Sequence, residues 1–177
     1  MKRFSISLSI TFIISAGLIL LASCATVQKP EIITFENKSP AFSVTYPSSW
    51  VPRELKKSEV LSVWAPQRVP ALAVNIIDIP EGMQLTDSPR AFITATKKIV
   101  PKSSRHKVLS ENIMTLNDGT KASESIISWR WVDRSTMLLT SYVTVFKDNK
   151  LIAVTCTSVS RTPVDVLKKV THSLQFK

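Results

Sequence analysis

Apolar and polar residues are distributed very unevenly along this chain. From Phe4 to Leu21 the sequence is apolar, interrupted only by serines, one threonine and one glycine. The pattern beyond it breaks into short units. Residues 24–39 include Pro30 and show no sustained periodicity, although Ile32-Ile33-Thr34-Phe35 has the composition of a short edge strand. Ala41-Phe42-Ser43-Val44-Thr45-Tyr46 alternates with a period of two and stops at Pro47-Ser48-Ser49, which predicts a strand ending in a turn. Val60 to Ala65 and Ala71 to Ile79 read as two further strands, separated by Pro66 and Pro70. Ser88-Pro89 is a helix start, a serine cap followed by proline at the first helical position. Phe92, Ile93, Thr96, Ile99 and Val100 then recur at helical spacing until Pro101.

The second half is dominated by strands. Lys107 to Leu116 and Lys121 to Val132 flank Asn117-Asp118-Gly119, a hairpin signal. Thr136 to Phe146 and Leu151 to Val159 flank a second tight turn at Asp148-Asn149. Thr162-Pro163-Val164-Asp165 repeats the helix-start logic, and Val166, Leu167, Val170 and Leu174 form the apolar stripe of a last helix. Hairpin-linked strands with helices inserted between them predict an α+β fold with a mostly antiparallel sheet of about six or seven strands. Some strands are apolar on both faces: Ile126 points away from Ile127, Trp129 and Trp131, and Val143 points away from Tyr142. Such a sheet needs cover on both sides, so the expected architecture is a three-layer α/β/α sandwich over residues 40–177.

Composition narrows the chemistry. A 177-residue chain that is 44% hydrophobic with only 3 glycines is globular and has few positions for phosphate-cradling loops. Two cysteines and two histidines exclude a disulfide framework, a four-cysteine zinc site and an iron–sulfur cluster, and no cofactor or metal is expected. The first residues add a location. Lys2 and Arg3 precede the apolar run, as in a secretory signal peptide, and the run ends in Leu21-Ala22-Ser23-Cys24. That tetrad resembles the lipobox of bacterial lipoproteins, which implies a signal peptide over 1–23 and cleavage before Cys24. Cys24 would then carry lipid, and 24–39 would be a tether between lipid and domain. An uncleaved membrane anchor is the competing reading. Ala25, rather than Asp, after the cysteine points to the periplasmic face of the outer membrane. Loss of Lys2 and Arg3 takes the formal charge from +10 to +8.

The mature chain also resembles the PsbP-like family. The resemblance is carried by Phe42-x-Val44-x-Tyr46-Pro47-x-x-Trp50, a hairpin turn before Thr120 and Ala122, the strand ending Val154-Thr155-Cys156-Thr157, and a closing helix that runs into Ser173-Leu174-Gln175-Phe176. The family's fold is shared by the photosystem II protein PsbP, the Ran-binding Mog proteins and many bacterial lipoproteins. The resemblance implies a non-catalytic module that binds or assists partner proteins, and it transfers no metal-binding or partner-binding residue.

Candidate chemistry is sparse, and no catalytic motif is present. An unrecognised hydrolase would have to use His106 or His172 in a set assembled in space. The most distinctive charge feature is Arg90, Lys97, Lys98, Lys102, Arg105 and Lys107, in a stretch from Ser88 to Ser110 without an acid. Those cations suit anionic lipid, a glycan phosphate or an acidic envelope protein, or simply a solvated helix end. Nucleic acid would suit the charge, but export argues against it. Trp129 and Trp131 share a strand face and fit either a stacking site or a core under a helix. Trp50 reads as a core plug and Cys156 as a buried thiol. Asp78, Glu81 and Asp87 lack the spacing and glycine of a calcium loop.

Overall fold

The computed structural model describes residues 31–131 and 135–177. The expected signal peptide 1–23, Cys24, Ala25 and Val132 lie outside the described residues. The strands are β1 (Ile32–Lys38), β2 (Ala41–Pro47), β3 (Val51–Pro52), β4 (Glu59–Trp64) and β5 (Ala71–Asp78), then β6 (Ser103–Thr115), β7 (Lys121–Trp131), β8 (Met137–Lys147), β9 (Lys150–Val159) and β10 (Gln175–Phe176). Helix α1 (Ser88–Ile99) lies between β5 and β6, and helix α2 (Val164–Thr171) follows β9.

The main sheet has seven strands in the order β3-β4-β5-β9-β8-β7-β6, every pair antiparallel. Its hairpins form where the sequence places turns. Gly119 takes φ +86°, and the Asp118 carboxylate accepts the Thr120 amide and hydroxyl. Asp148 and Asn149 both adopt positive φ, as a two-residue hairpin turn requires.

Consecutive residues of β8 show the three layers. Ser141 hydrogen-bonds Thr171 of α2 at 2.9 Å, whereas the Tyr142 ring lies 4.8 Å from Phe92 of α1. Neighbouring strand residues point to opposite faces, so the two helices cover opposite sides of the sheet, as expected. The larger core lies on the α2 side, where Leu72, Val74, Val143, Val154 and Cys156 meet Leu167, Val170 and Leu174. The face under α1 is more polar: Ser123, Ser125, Thr140 and Thr144 are fully buried there.

A second, three-stranded sheet, β1-β2-β10, adds Phe42 and Val44 to the α2-side core. The segment expected to be a tether as far as Ser39 is therefore strand from Ile32 to Lys38, paired along its whole length with β2. Two helix starts also differ from expectation. Helix α1 begins at Ser88 with Asp87 at the cap position, because the Ser88 hydroxyl donates to the Leu85 carbonyl instead of capping. Thr162 does not cap α2, because its hydroxyl is bonded to Ser158 at 2.8 Å. The last helix ends at Thr171, and Leu174 reaches the core from the segment leading into β10.

Candidate functional site

The six cations of the basic segment occupy a helix, a turn and an edge strand. Helix α1 buries Pro89 and Thr96 and turns Arg90, Lys97 and Lys98 to solvent. Arg90 and Lys97 line a shallow groove of about 370 Å³ between α1 and β6, with Ile93 and Val108 as its apolar wall. Asp87 and Glu111, just outside the acid-free stretch, fold back into the same groove. Its charge is therefore mixed, which a count along the sequence does not show. Lys102 sits in the turn before β6, and Arg105 adopts φ +54° within that strand. Lys107 lies opposite Ser128, on the α2 side of the sheet edge. The structure thus divides the six cations between the two faces of the edge and does not gather them around one anion.

The aromatic pair divides as well. Trp129 is buried, and its indole N–H donates to Thr140 at 3.0 Å, which in turn bonds Thr157 at 2.8 Å. Trp131 is exposed at the end of β7, 6.4 Å from Trp129. His106 stacks on Trp129 as well, its ring centre 6.0 Å away and its plane only 5° from parallel. Both His106 nitrogens are buried without a hydrogen-bond partner, and burial, then Lys97, holds the imidazole pKa below its ordinary value. Trp50 is a core residue, and Cys156 is fully buried, its thiol pushed up to about 12 by that burial.

His172 belongs to a different arrangement. Its Nε2 lies 2.5 Å from the Glu124 carboxylate, which also accepts from Lys168 at 2.9 Å. Burial alone would raise the Glu124 pKa, but the hydrogen bonds from Lys168 and His172 outweigh it and hold it low. This cluster joins α2 to β7. No hydroxyl is hydrogen-bonded to His172, and no carboxylate to His106, among the described residues. Neither histidine is therefore set up as the base of a nucleophilic triad in this conformation.

One surface feature escaped the sequence reading. The guanidinium carbons of Arg53 and Arg68 lie 5.2 and 5.7 Å from the centre of the Trp64 ring. Arg68 holds φ +68°, a conformation that costs energy for a residue with a Cβ. A recess of about 600 Å³ lined by Arg53, Glu54, Leu55, Lys56 and Trp64 borders the cluster. Only strand pairing and two loop paths bring these residues together, so neither spacing nor composition signals them. Among the described residues no group of His, Cys, Asp and Glu is arranged to hold a metal, and no helix is long and apolar enough to cross a membrane.

No protein-family profile and no curated protein sequence matches the chain. Its fold does match solved structures. Cyanobacterial PsbP (CyanoP) from Synechocystis superposes with a TM-score of 0.67 at 16% identity, covering 89% of this chain and 99% of that one. The Ran-binding protein Mog1p of Saccharomyces cerevisiae superposes with a TM-score of 0.62 at 8% identity, covering 84% and 96%. The α+β architecture is thus PsbP/Mog-like, as the sequence motifs implied.

Proposed function

We propose that this protein is a lipid-anchored component of a bacterial cell envelope, whose PsbP/Mog-like domain binds or helps to assemble another envelope component without catalysing a reaction. The observation that carries the location is Leu21-Ala22-Ser23-Cys24 at the end of an apolar run preceded by Lys2 and Arg3. A cysteine thiol at that point is the one nucleophile able to take a diacylglycerol as a thioether. Several acyl chains, each adding about 0.8 kcal/mol per buried CH2, hold a protein on a bilayer durably. Ala25 favours the periplasmic face of the outer membrane over retention in the inner one. The binding role draws support from the fold, which in Mog1p serves a Ran-binding protein.

Mass spectrometry of the N-terminal peptide tests the anchor. The expected product begins at an acylated Cys24, and Cys24→Ala abolishes the acylation and releases the protein from membranes. A Cys24→Ala protein that still fractionates with membranes through an intact apolar stretch overturns the reading. Crosslinking in cells followed by affinity purification tests the binding role, with a single reproducible envelope partner as the expected result.

A further inference from the structure

The two ends of the seven-stranded sheet carry different chemistry, and the tether leaves from one of them. At one end β3, β5, β6 and β8 enter the sheet while β4, β7 and β9 leave it. The pairs Val51–Trp64, Ala71–Thr157, Leu138–Val159 and Ser104–Arg130 mark this end across the full width of the sheet. The described residues begin there too. Ile32 lies opposite Pro47, and the Ser48 amide donates to the Glu31 carbonyl at 2.8 Å, just before Trp50 and Val51. Cys24 is seven residues before Glu31, and seven extended residues reach about 25 Å. Whatever holds Cys24 therefore holds this end of the domain within that distance.

The same end is basic and partly apolar. Among the described residues it carries Arg53, Arg68, Lys98, Lys102, Arg105, Arg130 and Arg161, against the acids Glu31, Glu54 and Asp165. Arg53, Arg68, Lys98, Arg105 and Arg161 have no carboxylate partner among the described residues. Val51, Ile99 and Trp131 stand exposed beside them at 45%, 63% and 38%. The opposite end sets Asp78, Glu81, Asp118 and Asp148 against Lys57, Lys121, Lys147 and Lys150, and there Lys150 pairs with Asp78 and Lys147 with Asp118, so its charge is balanced. Cations interleaved with aliphatic side chains and a tryptophan are the composition of a surface that sits among anionic headgroups.

We propose that this end of the domain docks on the anionic headgroups of the bilayer that holds the acyl chains of Cys24, so that the sheet stands on the membrane with its charge-balanced end outward. The proposal rests on the lipid-anchor reading. It extends the basic segment singled out in the sequence: Lys98, Lys102 and Arg105 act together with Arg53, Arg68 and Arg161 from distant loops, while Arg90 and Lys97 face the mixed-charge groove.

The test uses the full lipidated protein reconstituted in vesicles of brominated phosphatidylglycerol or brominated phosphatidylcholine. A fluorescent label is placed on Ser160→Cys at the basic end or on Asn117→Cys at the opposite end. Cys156 is buried and escapes labelling. Strand β9 alone sets the two ends about 33 Å apart, so the bromolipid should quench the Ser160→Cys label at least about threefold more than the Asn117→Cys label in phosphatidylglycerol. The difference should shrink in phosphatidylcholine, at high salt, and when Lys98→Ser and Arg161→Ser are combined. Equal quenching at both ends, quenching at neither, or an asymmetry indifferent to lipid charge overturns the docking while an acylated Cys24 in the same sample leaves the anchor standing. An unmodified Cys24 overturns both.

Discussion

His106 shows how a side chain without partners can control a response to pH. Its ring lies flat against Trp129, and both nitrogens are buried without a donor or acceptor. Burial and the nearby Lys97 disfavour the imidazolium, so the folded pKa lies below the ordinary 6.5. The sign follows: the folded state binds fewer protons than the unfolded one below that value. The stability linked to His106 is complete above about pH 6.5 and is lost as pH falls through the folded pKa. Thermal unfolding between pH 7.5 and 5.5 is therefore expected to show a falling midpoint in the native protein and a flatter one in His106→Phe. An unchanged slope would show that His106 does not titrate in that window. Glu124 has the same sign at lower pH: its carboxylate is favoured in the fold, so its contribution is lost only as pH falls below the ordinary glutamate range.

At the scale of elements, the polar face beneath α1 separates hydroxyls with partners from hydroxyls without them. Thr140 accepts the Trp129 indole and bonds Thr157, whereas the hydroxyls of Thr144, Ser123 and Ser125 have no hydrogen-bond partner. Replacing Thr140 by Val leaves a buried N–H without an acceptor and is expected to cost about 1–3 kcal/mol. Thr144→Val removes a hydroxyl that gains nothing from the fold, and is expected to be neutral or stabilising by about 1 kcal/mol. Urea denaturation of the two variants reads the contrast directly, and equal losses would contradict it. The long strands on this face were legible in the sequence, because alternation in β7 and β8 fixes which residues point to which side. Ile126 and Ile127 do face opposite ways. Strands β3 and β10 were not legible, since two residues carry no periodicity, and β1 was legible only as a short edge strand at Ile32–Phe35, because it is exposed on both faces over much of its length. The basic stretch was legible as a composition, but its division between the groove, the turn and the two sides of β6 depends on register. The Arg53–Trp64–Arg68 cluster depends on two loops and left no trace in the pattern.

For the molecule as a whole, attachment is strongest in the middle of the large sheet and weakest where the chain enters. Strands β8 and β9 are almost fully buried between two paired neighbours, whereas β1 is exposed and pairs with β2 alone. Amide hydrogen exchange should therefore release β1 first and β8 and β9 last, and β1 protection equal to that of β9 would contradict this order. The position of β1 has a mechanical consequence. A pull arriving through the N-terminal segment acts at Ile32, beside Pro47, at the open end of the hairpin and away from its turn at Ser39-Pro40. Force applied there loads the ladder one rung at a time, peeling β1 away and not shearing it. Phe35 against Phe42 and the Lys177–Glu36 ion pair resist late in that sequence, while Phe42 and Val44 keep β2 in the core. Seven residues of β1 released at about 3.4 Å each add about 24 Å of slack. If Cys24 is anchored as proposed, the hairpin would act as a spool, lengthening the link under load before the large sheet begins to yield.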